Sequence, residues 1–186
     1  MEKLGFKFTN IKILLGSHAH GDHMEGDALV KELTAAQVMD QDVPQISRLT
    51  PHGKPHPIDR VIHDGEEVKL GGTILVAHLT PGHTKGCTTW TLRTQDSGKT
   101  YNVVNNKDYP QIAEDYVRGF KVLRALPCDV FLASHSRFYG MPEKYAKLKD
   151  GAANPFIDPT GYQAHLDLQE KNFKAMLAEQ QKAAGR

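Results

Sequence analysis

The sequence has little of what marks membrane proteins, disulfide-rich proteins or proteins that bind nucleic acid by bulk charge. None of its apolar runs approaches the roughly eighteen residues that a membrane-spanning helix needs. Its two cysteines, Cys87 and Cys128, could form at most one pair, which does not identify a redox compartment, and we expect two buried free thiols. With 23 basic and 22 acidic residues the net charge is +1, which argues against a nucleic-acid partner.

The overall composition is that of an ordinary globular protein. Hydrophobic residues make up 39% of the chain and charged residues 24%, which excludes a disordered or fibrous protein. A length of 186 residues, without internal repeats or low-complexity tracts, predicts a single domain over residues 1–186. The first residues, MEKLGFKF, lack the apolar segment of a secretory signal, so the chain as written is expected in the cytoplasm.

Short apolar strands alternate with amphipathic helices along the chain, which predicts an α/β fold. The predicted strands span residues 11–17, 36–39, 71–79, 88–94, 99–104 and 128–135. The predicted helices span residues 25–35 and 111–126, with a long third helix from Thr160, which is expected to cap it. Leu29, Val30 and Leu33 should form the buried face of the first helix, and QDSG before residue 99 predicts a hairpin.

The sequence predicts no catalytic or metal-binding role for most of the histidines that lie outside clusters. Four prolines in residues 43–59 predict an exposed loop, and His52 and His56 within it are expected to be exposed and inert. Trp90, on a predicted strand, is expected in the core. We expect packing or surface roles for His63, His78 and His165.

Histidine is nevertheless the unusual residue here, because ten occur in 186 residues and three fall within six positions. The sequence SHAHGDHMEG places His18, His20, Asp22 and His23 directly after a predicted strand. Imidazole nitrogens and carboxylate oxygens bind zinc, and a loop at the carboxyl edge of a sheet can direct several of them to one point. Four ligand-type residues exceed what one tetrahedral ion needs from one segment, which predicts two metal ions.

Two further histidines follow predicted strands in the same way. His83 in LTPGHTKG follows the strand at residues 71–79, and Pro81 and Gly82 predict a tight turn that directs it back over the sheet edge. His135 in FLASH follows the strand Val130–Ala133, since CDVFLASH at residues 128–135 is a strand that runs into a loop. We therefore expect both histidines to join the first cluster in a metal site.

The order HAHGDH, PGHTKG and a strand followed by SH resembles the motifs of the metallo-β-lactamase superfamily. The likeness is greatest to the third subclass of the class B β-lactamases. It is carried by KLGFKFTNIKILLGSHAHGDHMEG, LGGTILVAHLTPGHTKGCTTWTL and YPQIAEDYVRGFKVLRALPCDVFLASH, and it is poorest in residues 43–59. The resemblance implies an αβ/βα sandwich, with two mixed sheets and flanking helices.

The resemblance also implies two Zn²⁺ ions as cofactors and a β-lactam as the small-molecule substrate. The first ion would be bound by His18, His20 and His83, and the second by Asp22, His23 and His135. The implied reaction is hydrolysis of the β-lactam amide of antibiotics by a metal-bound hydroxide, which Asp22 would also orient as the catalytic carboxylate. No Ser-x-x-Lys pair offers a protein nucleophile.

The sequence is shorter than the family pattern. Family members have several strands before the first motif, so we expect an exposed edge or apolar face here, which a homo-oligomer could cover. They also have a strand and loop with substrate-contacting residues at the point where Val104 meets Asn105 in this chain. The family resemblance implies the periplasm, in contrast to the cytoplasm expected from the sequence as written.

Two alternatives stay open at this point. Related hydrolases of thioesters, lactones or phosphodiesters use a further aspartate to bridge the metals, and Asp108 is the residue with roughly suitable spacing. The chain could instead be a zinc-binding remnant without useful turnover, because its shortened segments no longer position a substrate.

Overall fold

The computed structural model describes residues 2–41, 55–96, 99–106, 113–133, 135–151 and 153–184, and everything below refers to these. The strands are β1 (Ile13–Leu15), β2 (Gln37–Asp40), β3 (Arg60–Val61), β4 (Glu67–Leu70), β5 (Thr73–Leu79), β6 (Thr88–Asp96), β7 (Lys99–Asn106) and β8 (Val130–Ala133). The α-helices are α1 (Gly21–Met24), α2 (Asp27–Thr34), α3 (Ala113–Ala125), α4 (Met141–Lys149) and α5 (Gly161–Ala184). Short 3-10 helices span Glu2–Leu4, Phe8–Asn10 and Ser136–Tyr139.

The strands form two sheets. The smaller sheet has the parallel order β1-β2-β3, with β1 at one edge. The larger sheet has the order β4-β5-β6-β7-β8, antiparallel from β4 to β7 and parallel between β7 and β8. Two successive antiparallel pairings bring β7 back to the direction of β5, so β5 and β8 both end at the same edge of this sheet.

Apolar side chains from the two sheets meet in one buried cluster, which consists of Met39, Ile62, Val68, Ala77 and Trp90. Trp90 is 7% exposed, as predicted, and its indole N–H donates to the carbonyl of Gly16 at 2.9 Å. A side chain at Gly16 would overlap the buried carboxylate of Asp40, so this position requires glycine. The tryptophan therefore ties the larger sheet to the segment that leaves β1.

A second buried cluster lies where α3 and α5 pack beside β8, and it consists of Tyr116, Phe120, Leu123, Phe131, Tyr162 and Leu166. The Tyr162 hydroxyl donates to the carbonyl of Leu123 at 2.9 Å, and burial raises the pKa of this tyrosine. The helices predicted at residues 111–126 and from Thr160 correspond to α3 and α5. The Thr160 carbonyl accepts the first helical bond of α5, while the carboxylate of Asp158 accepts the Gly161 N–H at 2.8 Å.

One expectation from periodicity is wrong. Leu29 and Leu33 on α2 are 57% and 56% exposed, because α2 packs on β2 and on the 3-10 helix Phe8–Asn10 through other residues. The sequence pattern also did not predict β4 or α4. The strand β4 pairs with β5 across the Gly71–Gly72 turn, which is a hairpin signal that sequence reasoning could have used.

The expectation that His56 is exposed is also wrong, whereas His52 lies outside the described residues. The side chain of His56 is 1% exposed and its Nε2 lies 3.0 Å from Oδ2 of Asp27 on α2. The proline-rich composition of this segment predicts a loop, but a loop can still pack its side chains against a helix. Within the described residues, Cys87 and Cys128 are not joined by a disulfide bond, and the first is buried while the second is half-buried.

None of the helices in the described parts of the chain is long and apolar enough to cross a membrane.

We predict that Trp90→Phe lowers the free energy of unfolding by about 1–3 kcal/mol, because it removes the donor to the half-buried carbonyl of Gly16 while retaining an aromatic ring. Chemical denaturation measures this change. Tyr145→Phe, at an exposed position on α4, is the matched control and should have little effect. Equal stability of the two variants would show that the bond between Trp90 and Gly16 does not hold the sheets together.

Candidate metal centre

The first part of the site is the turn that leaves β1. His18 is 1% exposed, and its Nδ1 lies 3.0 Å from the hydroxyl of Ser17. The carbonyl of Ser17 accepts the N–H of Thr88 at 2.8 Å, which fastens the turn to the start of β6. His20 is extended and precedes α1, whose single turn carries Asp22 and His23. Four side chains of the kind that bind metals thus extend from one short segment, whose backbone is held in place by a hydrogen bond to β6.

The second part is the turn between β5 and β6, which carries His83. The N–H of Thr80 donates to the carbonyl of Cys87 at 2.9 Å, and the hydroxyls of Thr80 and Thr89 lie 2.8 Å apart. These buried contacts close the turn at its base. His83, near its tip, is only 7% exposed because the turn folds back against the protein.

Helix α3 supports this turn through a very close backbone approach. A Cβ at Gly119 would lie 2.6 Å from the carbonyl oxygen of Pro81. One helical turn earlier, the ring of Tyr116 lies against Gly82, whose φ of 138° is readily adopted only by glycine. The sequence analysis did not identify Tyr116 and Gly119 as site residues, although a glycine inside a predicted helix is a signal of such an approach.

His135 provides the third part, directly beyond β8. It is the cap residue of the 3-10 helix Ser136–Tyr139, and its carbonyl accepts the N–H of Phe138 at 3.0 Å. The rings of His135 and Phe138 meet edge to face with centroids 5.8 Å apart. The side chain is 36% exposed, so this part of the site faces solvent.

The three segments bring His18, His20 and His83 into one group. Their ring centroids are 4.9 Å apart for His18 and His20, 4.1 Å for His18 and His83, and 4.4 Å for His20 and His83. The planes meet at 71–83°, so the rings present edges and nitrogens to each other rather than stacked faces. Their ligand atoms all lie within 4.8 Å of one another.

Asp22, His23 and His135 form a second group with the same property. Oδ2 of Asp22 lies 3.3 Å from Nε2 of His23 and 3.9 Å from Nε2 of His135. The groups are adjacent, because the rings of His18 and His23 have centroids 4.1 Å apart. Thus all six residues predicted from the sequence are brought together, in the two sets of three that the resemblance implied.

Both groups fit a zinc ion in donor type and spacing. Tetrahedral zinc with bonds of 2.0–2.1 Å holds its ligand atoms about 3.3 Å apart, so ligand atoms within 4.8 Å of one another need only small side-chain rotations to converge. Three protein ligands leave a fourth position for water or substrate, as catalytic zinc sites require. The two groups differ in exposure, since His18 and His83 are buried whereas Asp22 is exposed. Asp108, the alternative bridging ligand, lies outside the described residues.

Comparison with solved structures identifies the family, although no family model matches the chain. The chain is similar to the native FEZ-1 metallo-β-lactamase from Legionella gormanii, with a TM-score of 0.89 and 41% identity, covering 97% of this chain and 79% of that one. It is similar to BJP-1, a subclass B3 metallo-β-lactamase of Bradyrhizobium japonicum, with a TM-score of 0.86 and 34% identity, covering 98% and 78%. The chain belongs to the subclass B3 metallo-β-lactamases.

A further B3 structure, the di-zinc metallo-β-lactamase LRA-12 from an Alaskan soil metagenome, is 29% identical with a TM-score of 0.80 and covers 94% of this chain and 76% of that one. The family resemblance of the three histidine motifs is therefore confirmed, as is the α/β fold of that family. The third-subclass expectation agrees with the B3 relatives.

We predict that Gly119→Ala weakens metal binding, because the new Cβ collides with the carbonyl of Pro81 and displaces the turn that carries His83. Alanine has the higher helix propensity by about 1 kcal/mol, so a loss can come only from this collision. Metal affinity measured by competition with a chelator tests the effect. Gly72→Ala is the control, since its Cβ would meet nothing within 4 Å. Equal affinity in both variants would contradict the supporting role of α3.

Proposed function

We propose that this B3 metallo-β-lactamase is a zinc-dependent hydrolase of β-lactam antibiotics that uses two Zn²⁺ ions. The observation that carries the proposal is the convergence of six ligand-type side chains from three separate segments into two adjacent groups. Burying polar imidazoles costs free energy unless their nitrogens are satisfied, and a bound metal ion would satisfy them. The named activity of the similar structures supports the substrate class.

In this proposal His18, His20 and His83 bind the first ion, and Asp22, His23 and His135 bind the second. Bound zinc would supply a hydroxide at neutral pH and polarise the amide carbonyl of the substrate. Imidazoles bind metal in their neutral form, and two of the three rings of the first group, His18 and His83, are buried. The hydroxyl of Ser17 beside Nδ1 of His18 fixes the orientation of that ring.

Asp22 has a second role in the proposed reaction. Its side chain is 59% exposed, so a carboxylate oxygen remains accessible to solvent while Oδ2 faces His23 and His135. This oxygen can accept a hydrogen bond from the attacking water and hold it toward the substrate carbonyl. The sequence contains no Ser-x-x-Lys pair, so the chain offers no serine nucleophile of that type and direct attack by water is favoured.

The proposal extends to features supported only by the resemblance or the sequence. We propose the periplasm as the compartment and one domain over residues 1–186. A homo-oligomer that covers the edge of β1 remains a prediction, which the oligomeric state in solution tests.

We expect two zinc ions per chain by metal analysis, together with turnover of a chromogenic cephalosporin that a chelator abolishes. His135→Ala should reduce the stoichiometry to one ion and lower turnover by at least about 100-fold, since it removes a ligand of the exposed group. His63→Ala, at an exposed histidine outside both groups, is the control and should retain both properties.

The outcomes separate the alternatives. Two zinc ions without hydrolysis of any β-lactam would leave the metal centre in place and overturn the lactamase activity, in favour of another hydrolase or an inactive remnant. Absence of bound zinc in the intact protein would overturn the whole proposal.

A further inference from the structure

The segment from His56 to Asp59 lies against the metal-binding turn, although the sequence predicted no role for it. Ile58 packs on Ala19 and Met24, which together form a small apolar cluster. Ala19 lies between two proposed ligands of the first ion, and Met24 follows directly after a ligand of the second. The position of Ile58 therefore bears on both metal groups.

His56 anchors this segment through its contact with Asp27. The His56 side chain is 1% exposed, and its Nε2 lies 3.0 Å from Oδ2 of Asp27, which is 21% exposed at the start of α2. The other ring nitrogen, Nδ1, is buried and has no hydrogen-bond partner among the residues that the structure describes. Burying a polar nitrogen in this way costs free energy, so the contact with Asp27 and the packing of the segment must offset that cost.

A second pair, one helical turn along α2, holds the end of the same segment. The ammonium of Lys31 contacts both carboxylate oxygens of Asp59, and this hydrogen bond lowers the pKa of Asp59. Asp59 also accepts the N–H of Val38 at 2.8 Å and donates its own N–H to the Val38 carbonyl at 2.9 Å. Lys31 and Asp59 are each about one-third exposed, so we attribute the main anchoring to the buried His56.

We propose that His56 is a positioning residue for the metal centre: through Asp27 it clamps residues 56–59 onto the turn that carries the metal ligands. The proposal rests on the metal centre of the proposed function. His56 does not touch the ligands itself. It acts by holding Ile58 against Ala19 and Met24, so the turn keeps its ligands converged before metal arrives, which raises metal affinity.

The test compares His56→Ala and His56→Gln with the wild-type enzyme. The glutamine amide can still donate to Asp27, whereas alanine removes both the donor and the packing. We expect zinc affinity, measured by competition with a chromogenic chelator, to fall on the order of 10-fold in His56→Ala and to stay within about 3-fold of wild type in His56→Gln. His78→Ala is the matched control, because His78 is a half-buried histidine that is hydrogen-bonded to Thr91, between β5 and β6, rather than to α2.

Asp27→Ala provides a second variant if His56→Ala fails to fold, since Asp27 is partly exposed and its loss removes the same pair. It should weaken zinc binding as His56→Ala does. Thermal unfolding of the metal-free proteins gives an independent readout. Reduced metal-free stability with unchanged zinc affinity would show a merely structural role and overturn the proposal. Equal loss of affinity in His56→Ala and His56→Gln would overturn it as well.

Turnover is recorded separately so that the two proposals can fail independently. Wild-type enzyme that binds zinc without hydrolysing a cephalosporin would overturn the lactamase activity, and the affinity comparison would still decide the role of His56. Active wild-type enzyme with unchanged affinity in both His56→Ala and Asp27→Ala would overturn the positioning role alone.

Discussion

The close packing of imidazole rings is the constraint on which the rest of this structure depends. Three histidine rings lie with their centroids 4.1–4.9 Å apart, and two of the rings are buried. Imidazole nitrogens bind a metal ion through their lone pairs, and three rings at this spacing can share one cation. The surrounding fold has to impose this geometry.

The fold imposes the arrangement of the histidine rings by fixing the backbone of the turns that carry them. The indole N–H of Trp90 holds the carbonyl of Gly16 just before the first ligand, and the Thr88 N–H holds the carbonyl of Ser17 one residue later. On the other side, Gly119 lets α3 approach the turn of His83 to van der Waals distance. Each support works at a residue where a larger side chain or a lost donor would move the ligand-bearing turn by a few tenths of an ångström or more.

The candidate centre could be predicted from the sequence because the information is local: His18, His20, Asp22 and His23 lie within six residues, and His83 and His135 each follow a predicted strand. The supports are long-range, and local patterns do not encode them. The sequence around His56 does not indicate that Oδ2 of Asp27, 29 residues earlier, lies 3.0 Å from Nε2 of His56. Leu29 and Leu33 illustrate the opposite failure of local patterns. They form a periodic apolar stripe on α2, which predicts burial, but both side chains are more than half exposed in the described structure.

The two groups of candidate ligands differ in burial, so one side of the site is buried and the other is exposed to solvent. His18 and His83 are nearly inaccessible, whereas Asp22 and His135 have side chains that are 59% and 36% exposed. In the proposed assignment the buried group is the more preorganised, because its ligands are held by two turns and a helix and have little freedom to lose when metal binds. Asp22 lies on the side of the centre that is exposed to solvent. In the proposed reaction, a carboxylate at that side would guide water to the reacting carbonyl without leaving its own ligand position, which the buried imidazoles could not do.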